Sequence, residues 1–184
     1  MSNFSVALQF SGGKDSLALL MHMKAFWPVI DVLHVNTGDA PDALEEVIDW
    51  AAKVLPRFTM IYSDSQEFRK AHGNPSGENW FNCCAANIYM PMAALVKHNG
   101  YRQILRGTKR CDPHIHGVFP GDIHDGVIYT FPLWDWSDKD VEDYLGESLP
   151  APYRAGAIGM PDCKSCPVTE SCGGHTRHLW KAPT

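Results

Sequence analysis

Ser5-Val6-Ala7-Leu8-Gln9-Phe10-Ser11-Gly12-Gly13-Lys14-Asp15-Ser16 is the stretch that decides the fold. Residues 5 to 10 read as a buried strand, and Leu17 to Met23 as the apolar part of a following helix. Between them lies a loop built to hold an anion. Gly12 and Gly13 let the backbone turn tightly and bring its N–H groups close to a ligand. The helix N-terminus adds the positive end of its dipole, and Lys14 a full charge. A plain strand-to-helix turn with Gly for flexibility is the competing reading, but it does not explain six suitable residues at one structural boundary. The spacing is not Gly-x-x-x-x-Gly-Lys, which sets aside the other familiar phosphate loop.

Outward from this loop, strands and helices alternate. Val29 to Val35 reads as a second strand, Asp42 to Leu55 as a helix and Phe58 to Tyr62 as a third strand. Leu44, Val47, Ile48, Ala51 and Leu55 fall on one face of that helix, while Asp42, Glu45, Glu46 and Asp49 form its solvated face. Residues 63 to 83, rich in Ser, Gly, Asn and Asp, read as a long functional loop. Helix resumes near Cys84 and runs to His98, with Pro91 as a kink. Tyr101 to Leu105 and Val127 to Phe131 are further strands, separated by a His- and Gly-bearing loop over 111–126. Ser137 caps a helix through Leu145. After Pro150 the chain is rich in Pro, Gly and Cys and promises little regular structure. The pattern is that of an α/β protein with one doubly wound, mostly parallel sheet flanked by helices. It is read as one nucleotide-binding domain over 1–184, with 150–184 its irregular Cys-rich C-terminal segment.

Composition narrows the classes. The chain has 184 residues, enough for a sizeable core, and a net charge of −5, which argues against coating nucleic acid by bulk electrostatics. No apolar run approaches a membrane span, and Met1-Ser2-Asn3 opens no secretory signal, so a cytoplasmic location is expected. In that reducing compartment the six cysteines point to metal ligands or reactive thiols rather than disulfides. Cys83-Cys84 and Cys163-x-x-Cys166 together offer four thiolates. That number suits a 4Fe-4S cluster or a tetrahedral zinc, and free thiols remain a third reading. Cys111, His114, His116 and His124 share a loop and could hold a second metal, though such histidines are more often solvated. Trp134 and Trp136 could stack on a base, or simply be core.

Ser11-Gly12-Gly13-Lys14-Asp15-Ser16 resembles the pyrophosphate loop of the adenine-nucleotide α-hydrolase superfamily, whose members cleave or hold nucleotides at the α-phosphate. Three more segments resemble the PAPS/APS (sulfonucleotide) reductase branch. His34-Val35-Asn36-Thr37-Gly38 is similar to its His-Val-Asp-Thr-Gly. Arg106-Gly107-Thr108-Lys109-Arg110 is similar, in looser register, to its Gly-x-Arg-Arg. Pro132-Leu133-Trp134-Asp135-Trp136-Ser137-Asp138-Lys139-Asp140-Val141 is similar to its Pro-Leu-x-Asp-Trp-Thr-x-x-Asp-Val. The resemblance implies that Ser11 to Ser16, Asn36, Thr37, Gly38 and Arg106 to Arg110 line the nucleotide site. It also implies that Cys83, Cys84, Cys163 and Cys166 hold a 4Fe-4S cluster. Glu170-Ser171-Cys172-Gly173-Gly174-His175 resembles the family's Glu-Cys-Gly-x-His and implies a nucleophilic thiolate at Cys172, with Lys14 assisting. From the residues alone, Cys172 is equally a spare ligand or a bystander.

Two departures bear on the chemistry. Asn87-Ile88 stands where the family carries Arg-Lys, which removes a cation beside the cysteines. The intact loop, degenerate in the reductases, favours a longer phosphate tail. Three functions follow. The first is a sulfonucleotide reductase-like enzyme acting on adenylyl sulfate or its 3′-phosphate, with a thiol reductant such as thioredoxin. The second is an ATP pyrophosphatase that adenylates a tRNA, DNA or small molecule for thiolation, with Mg²⁺ placed by Asp15 and Asp39. The third is a non-catalytic regulatory module. The short C-terminus suggests a trimmed family member that draws on a partner chain, and a homo-oligomer fits the sequence as well as a monomer.

Overall fold

The computed structural model describes residues 5–75, 80–112, 118–157, 160 and 162–166. Six strands form one sheet: β1 (Val6–Gln9), β2 (Asp31–Asn36), β3 (Phe58–Tyr62), β4 (Gln103–Leu105), β5 (Ile123–His124) and β6 (Val127–Thr130), in the order β3-β2-β1-β4-β6-β5. All neighbours run parallel except β5 and β6. The expected doubly wound α/β architecture is therefore present. Its order reverses between β1 and β4, and such a switch point opens a crevice beyond the strands' carboxyl ends.

Successive residues of β1 and β2 point to opposite faces, and both faces are buried. Leu8, Phe10 and Val32 join one apolar cluster with Leu17 and Leu20 of α1 (Lys14–His22), Leu44 and Ile48 of α2 (Asp42–Val54), and Val141 of α6, a helix over Asp138–Leu145. Ala7, Leu33 and Ile104 join a second cluster with Val96 of α5 (Met90–Asn99). The α2 face reads as its periodicity predicts: Leu44, Ile48 and Ala51 are buried, while Asp42, Glu45, Glu46 and Asp49 are exposed. Ser137 caps α6 in a capping box with Asp140.

The structure corrects the expected loop over 63–83. Asp64 accepts from the Glu67 N–H and caps a helix, α3 (Ser65–His72), which ends at Gly73. A further helix, α4 (Trp80–Cys84), carries the vicinal cysteines. The cap and the basic last turn outweigh the segment's polar composition. Helical structure is continuous from Trp80 to Asn99, and a π-helical turn over Ala85–Tyr89 lies immediately before α5, which carries Pro91 in its first turn. Pro91 brings no N–H to the Asn87 carbonyl four residues back, and the Ser63 hydroxyl donates to that oxygen at 2.7 Å. Two smaller corrections are the β5 edge strand inside the 111–126 loop and a short helix, α7 (Ala151–Arg154), after Pro150. Among the described residues no helix is long and apolar enough to cross a membrane.

Candidate functional site

A cavity of about 680 Å³ opens at the switch point, a volume ordinary for a small-molecule site. Ser11 and Ser16 reach it from the β1 loop, Thr37 from the end of β2, and Arg106, Gly107 and Thr108 from the end of β4. The loop is held in shape before any ligand arrives. The Ser11 and Ser16 hydroxyls lie 3.1 Å apart, and Ser16 Oγ donates to the Gly13 carbonyl at 2.9 Å. Gly12 adopts a φ of +86°, where only glycine is unstrained.

Gly107 is needed for a different reason, the close passage of two backbones. A Cβ there would lie 2.7 Å from the Asp15 carbonyl oxygen and 3.0 Å from the Ser16 nitrogen. Gly107→Ala must push the β4 loop away from the start of α1. A loss of about 1–3 kcal/mol is expected, as for overpacking, read as a lower denaturation midpoint at unchanged slope.

The basic residues divide into two sets. Lys14, Lys109 and Arg110 do not line the cavity. Lys14 is 3% exposed and pairs with Asp15 and Asp138. Lys109, fully buried, lies 2.7 Å from Asp15, 2.9 Å from Asp112 and 3.4 Å from Asp138. Burial alone would pull its pKa down, but Asp15 and Asp112 more than offset that and keep the ammonium charged. Arg110 is exposed, pairs with Asp135 and lies over the Trp134 ring. Arg106 is different. It lines the cavity, burial pulls its pKa down, and only the Tyr129 and Tyr89 phenols oppose that. Among the described residues no carboxylate pairs with it.

Thr37 lies buried at the cavity wall, whereas Asn36 accepts from the Gly38 N–H at 2.8 Å and shapes the turn. His34 Nδ1 meets the Phe10 carbonyl at 2.8 Å, so that nitrogen donates; burial lowers the ring's pKa and keeps it neutral. Trp134 and Trp136 do not line the cavity. Trp134 stacks on Phe131, and Trp136 packs edge-on against His22 and Tyr144, as core-side aromatics do.

Cys83, Cys84, Cys163 and Cys166 line a second, small cavity of about 20 Å³, together with Ser65, Arg69 and Ile88. Ile88 lines both cavities, so the two adjoin. The Cys163 thiol donates to Thr37 Oγ1 at 3.5 Å, and burial pushes its pKa up to about 11. Among the described residues no three Cys, His, Asp or Glu side chains are grouped to grip a metal as they stand. Cys111 and His124 are both exposed, and His114, His116 and Cys172 lie outside the described residues.

Asp39 is the hub that the sequence does not reveal. Its side chain is 0% exposed and accepts from Arg69 at 2.9 Å, from Gln66 at 3.2 Å, and from both the backbone and hydroxyl of Ser165. With four donors on its two oxygens it is not free to place Mg²⁺, contrary to expectation. Burial favours its neutral form, but the Ser165 and Arg69 hydrogen bonds prevail and hold its pKa below the ordinary value; Asp138 is held low likewise by Lys14 and Lys109. Both carboxylates therefore stabilise the fold above the ordinary carboxylate pKa, near pH 4, and that contribution fades as pH falls through their lower folded values. The melting temperature should be level from neutral pH to about pH 5 and drop steeply below about pH 4. Asp39→Asn should flatten the drop.

Comparison with known proteins agrees with this fold. The chain is similar to a solved phosphoadenylyl-sulfate (PAPS) reductase from Candida auris in complex with phosphate. The TM-score is 0.64 at 19% identity, covering 79% of this chain and 74% of that one, a likeness of fold. A yeast FAD synthetase in complex with FAD aligns at a TM-score of 0.47 and 15% identity, over 78% of this chain and 50% of that one. None of the curated proteins matches at a significant level. Residues 5–151 match the phosphoadenosine phosphosulfate reductase domain, the span that carries the loop, the α6 cap and the switch-point cavity's lining apart from Asp162. The chain belongs to the phosphoadenosine phosphosulfate reductase domain family.

Proposed function

We propose that the chain is a sulfonucleotide reductase-like enzyme that binds adenylyl sulfate or its 3′-phosphate in the switch-point cavity and releases sulfite. The observation that carries this reading is Arg106, a half-buried guanidinium lining that cavity with no carboxylate partner among the described residues. A cation drawn partly out of water with no carboxylate beside it favours the arrival of an anion. The phosphosulfate is such an anion, and the Ser11 to Ser16 backbone offers the matching N–H groups.

The intact loop pointed to a longer phosphate tail. Its Lys14, however, is held by Asp15 and Asp138 and does not line the cavity, which weakens that argument. Asp15 and Asp112 do line it and are the carboxylates that would hold Mg²⁺ in the ATP-cleaving alternative, but both are paired with Lys109.

In the proposed reaction the Cys172 thiolate, its proton gone to solvent, attacks the nucleotide's sulfur. An S–S bond forms, and the S–O bond to the phosphate breaks. The nucleoside phosphate leaves with the electron pair, and Arg106 and the loop amides take up the charge it gains. One thiolate of an external dithiol then attacks Cys172 Sγ and expels sulfite with the S–S electron pair, leaving a mixed disulfide. The dithiol's second thiolate breaks that bond and frees the Cys172 thiolate, so the sulfur gains two electrons and the dithiol is oxidised. The four cysteines fit a 4Fe-4S cluster, or a zinc, in donor type and number. Such a group would fix the Cys163–Cys166 turn against the nucleotide loop and shape the local field. Cytosolic redox conditions suit every step.

The test is anaerobic incubation of reconstituted protein with adenylyl sulfate or its 3′-phosphate and a dithiol such as reduced thioredoxin. Sulfite release is expected. Pyrophosphate release from ATP and Mg²⁺, with no sulfite from either sulfonucleotide, would replace this reading with the ATP pyrophosphatase.

A further inference from the structure

The residues Asn87-Ile88 suggest that the cysteines lack a neighbouring cation. The fold supplies one from elsewhere in the chain. Arg69, on α3, is 8% exposed and lines the same small cavity as Cys83, Cys84, Cys163 and Cys166. Its Nη2 donates to Asp39 at 2.9 Å and to Ser165 Oγ at 2.7 Å, between the two ligand-bearing positions Cys163 and Cys166.

We propose that Arg69 is the fixed counter-cation of the four-cysteine cavity, selecting an occupant bound through thiolates. The inference rests on the cysteine reading above. A zinc ion, or a 4Fe-4S core of the same charge, held by four thiolates carries about two net negative charges. Such a charge in a buried cavity needs a partner. Arg69 is delocalised, always charged and able to donate to several acceptors at once, so it can serve thiolates while its other edge stays on Asp39. Asp39 in turn spreads its charge over Gln66 and Ser165, which leaves the guanidinium only partly neutralised.

The competing role is a brace. Arg69 would then matter only because it ties Asp39 to Ser165 and so holds the 163–166 turn. The two roles predict different signs for Asp39→Asn. That change keeps an oxygen for Arg69 but removes the carboxylate's charge, so a counter-cation becomes more available while a brace is weakened.

The full chain, reduced and metal-free, is titrated anaerobically with Co²⁺, whose thiolate charge-transfer absorption reports sulfur ligation directly. Arg69→Gln preserves hydrogen bonding without charge, and Arg69→Lys preserves charge without the fork. Expected results are binding weakened at least about tenfold by Arg69→Gln, restored to within about threefold by Arg69→Lys, and not weakened by Asp39→Asn. Wild-type binding in Arg69→Gln overturns the inference. Equal weakening by Arg69→Gln and Asp39→Asn also overturns it, in favour of the brace. If the wild type itself gives no thiolate–cobalt absorption, the cysteine reading fails and the inference falls with it. Sulfite release by the same preparation would show that the nucleotide chemistry stands apart.

Discussion

Replacing Arg106 with methionine is expected to weaken adenylyl-sulfate binding about 100-fold, close to 3 kcal/mol, while leaving the melting temperature unchanged or higher. The two effects have one cause. Arg106 lines the switch-point cavity, is half-buried, and has no carboxylate partner among the described residues. In the free protein its charge is a cost. Methionine has a similar apolar reach and no charge, so removing the guanidinium relieves the free protein and deprives the complex. Calorimetric titration and thermal melts on the same samples check both signs. A variant that loses stability and keeps affinity would make Arg106 a structural residue, with its partner outside the described residues.

Cys172→Ala is expected to abolish sulfite release, by at least about 1,000-fold, with nucleotide affinity within about twofold of wild type. The residue lies outside the described region, and its case rests on reach. Cys166 lines the small cavity that adjoins the nucleotide cavity through Ile88, and Asp162 lines the nucleotide cavity itself. Six further residues span at most roughly 20 Å, which bounds how far from Cys166 the Cys172 thiolate can meet the sulfur. Omitting the reductant should leave a sulfonate adduct on the Cys172 peptide, found by mass spectrometry. An adduct on Cys111 instead, the exposed thiol, would reassign the nucleophile.

Most of the fold could be read directly from the residues. Parallel strands buried on both faces carry their own apolar signature, and the Ser-Gly-Gly turn marks where β1 ends and α1 starts. The site was only half legible. Ser11, Ser16, Thr37, Arg106, Gly107 and Thr108 converge as their segments suggest. A linear stretch cannot say which of Arg106, Lys109 and Arg110 faces a ligand. That depends on where Asp112, Asp135 and Asp138 arrive, and those carboxylates hold Lys109 and Arg110 elsewhere. Arg69 is hidden in the sequence because the polar composition of its segment predicts a loop. Asp64 with Glu67 three residues on, basic residues in the last turn and Gly73 after it were the helix signal available. Asp39 resembles a metal carboxylate in the sequence because its four donors come from residues 27 to 126 positions away.

The most direct test of the account is a crystal structure of the protein with adenylyl sulfate, taken on the Cys172→Ala variant to prevent turnover. The predicted result places the α-phosphate among the Ser11 to Ser16 N–H groups, within hydrogen-bonding distance of the Arg106 guanidinium, with Lys14 still on Asp138. A nucleotide bound with Arg106 unengaged and Lys14 swung from Asp138 onto its phosphate would contradict the account.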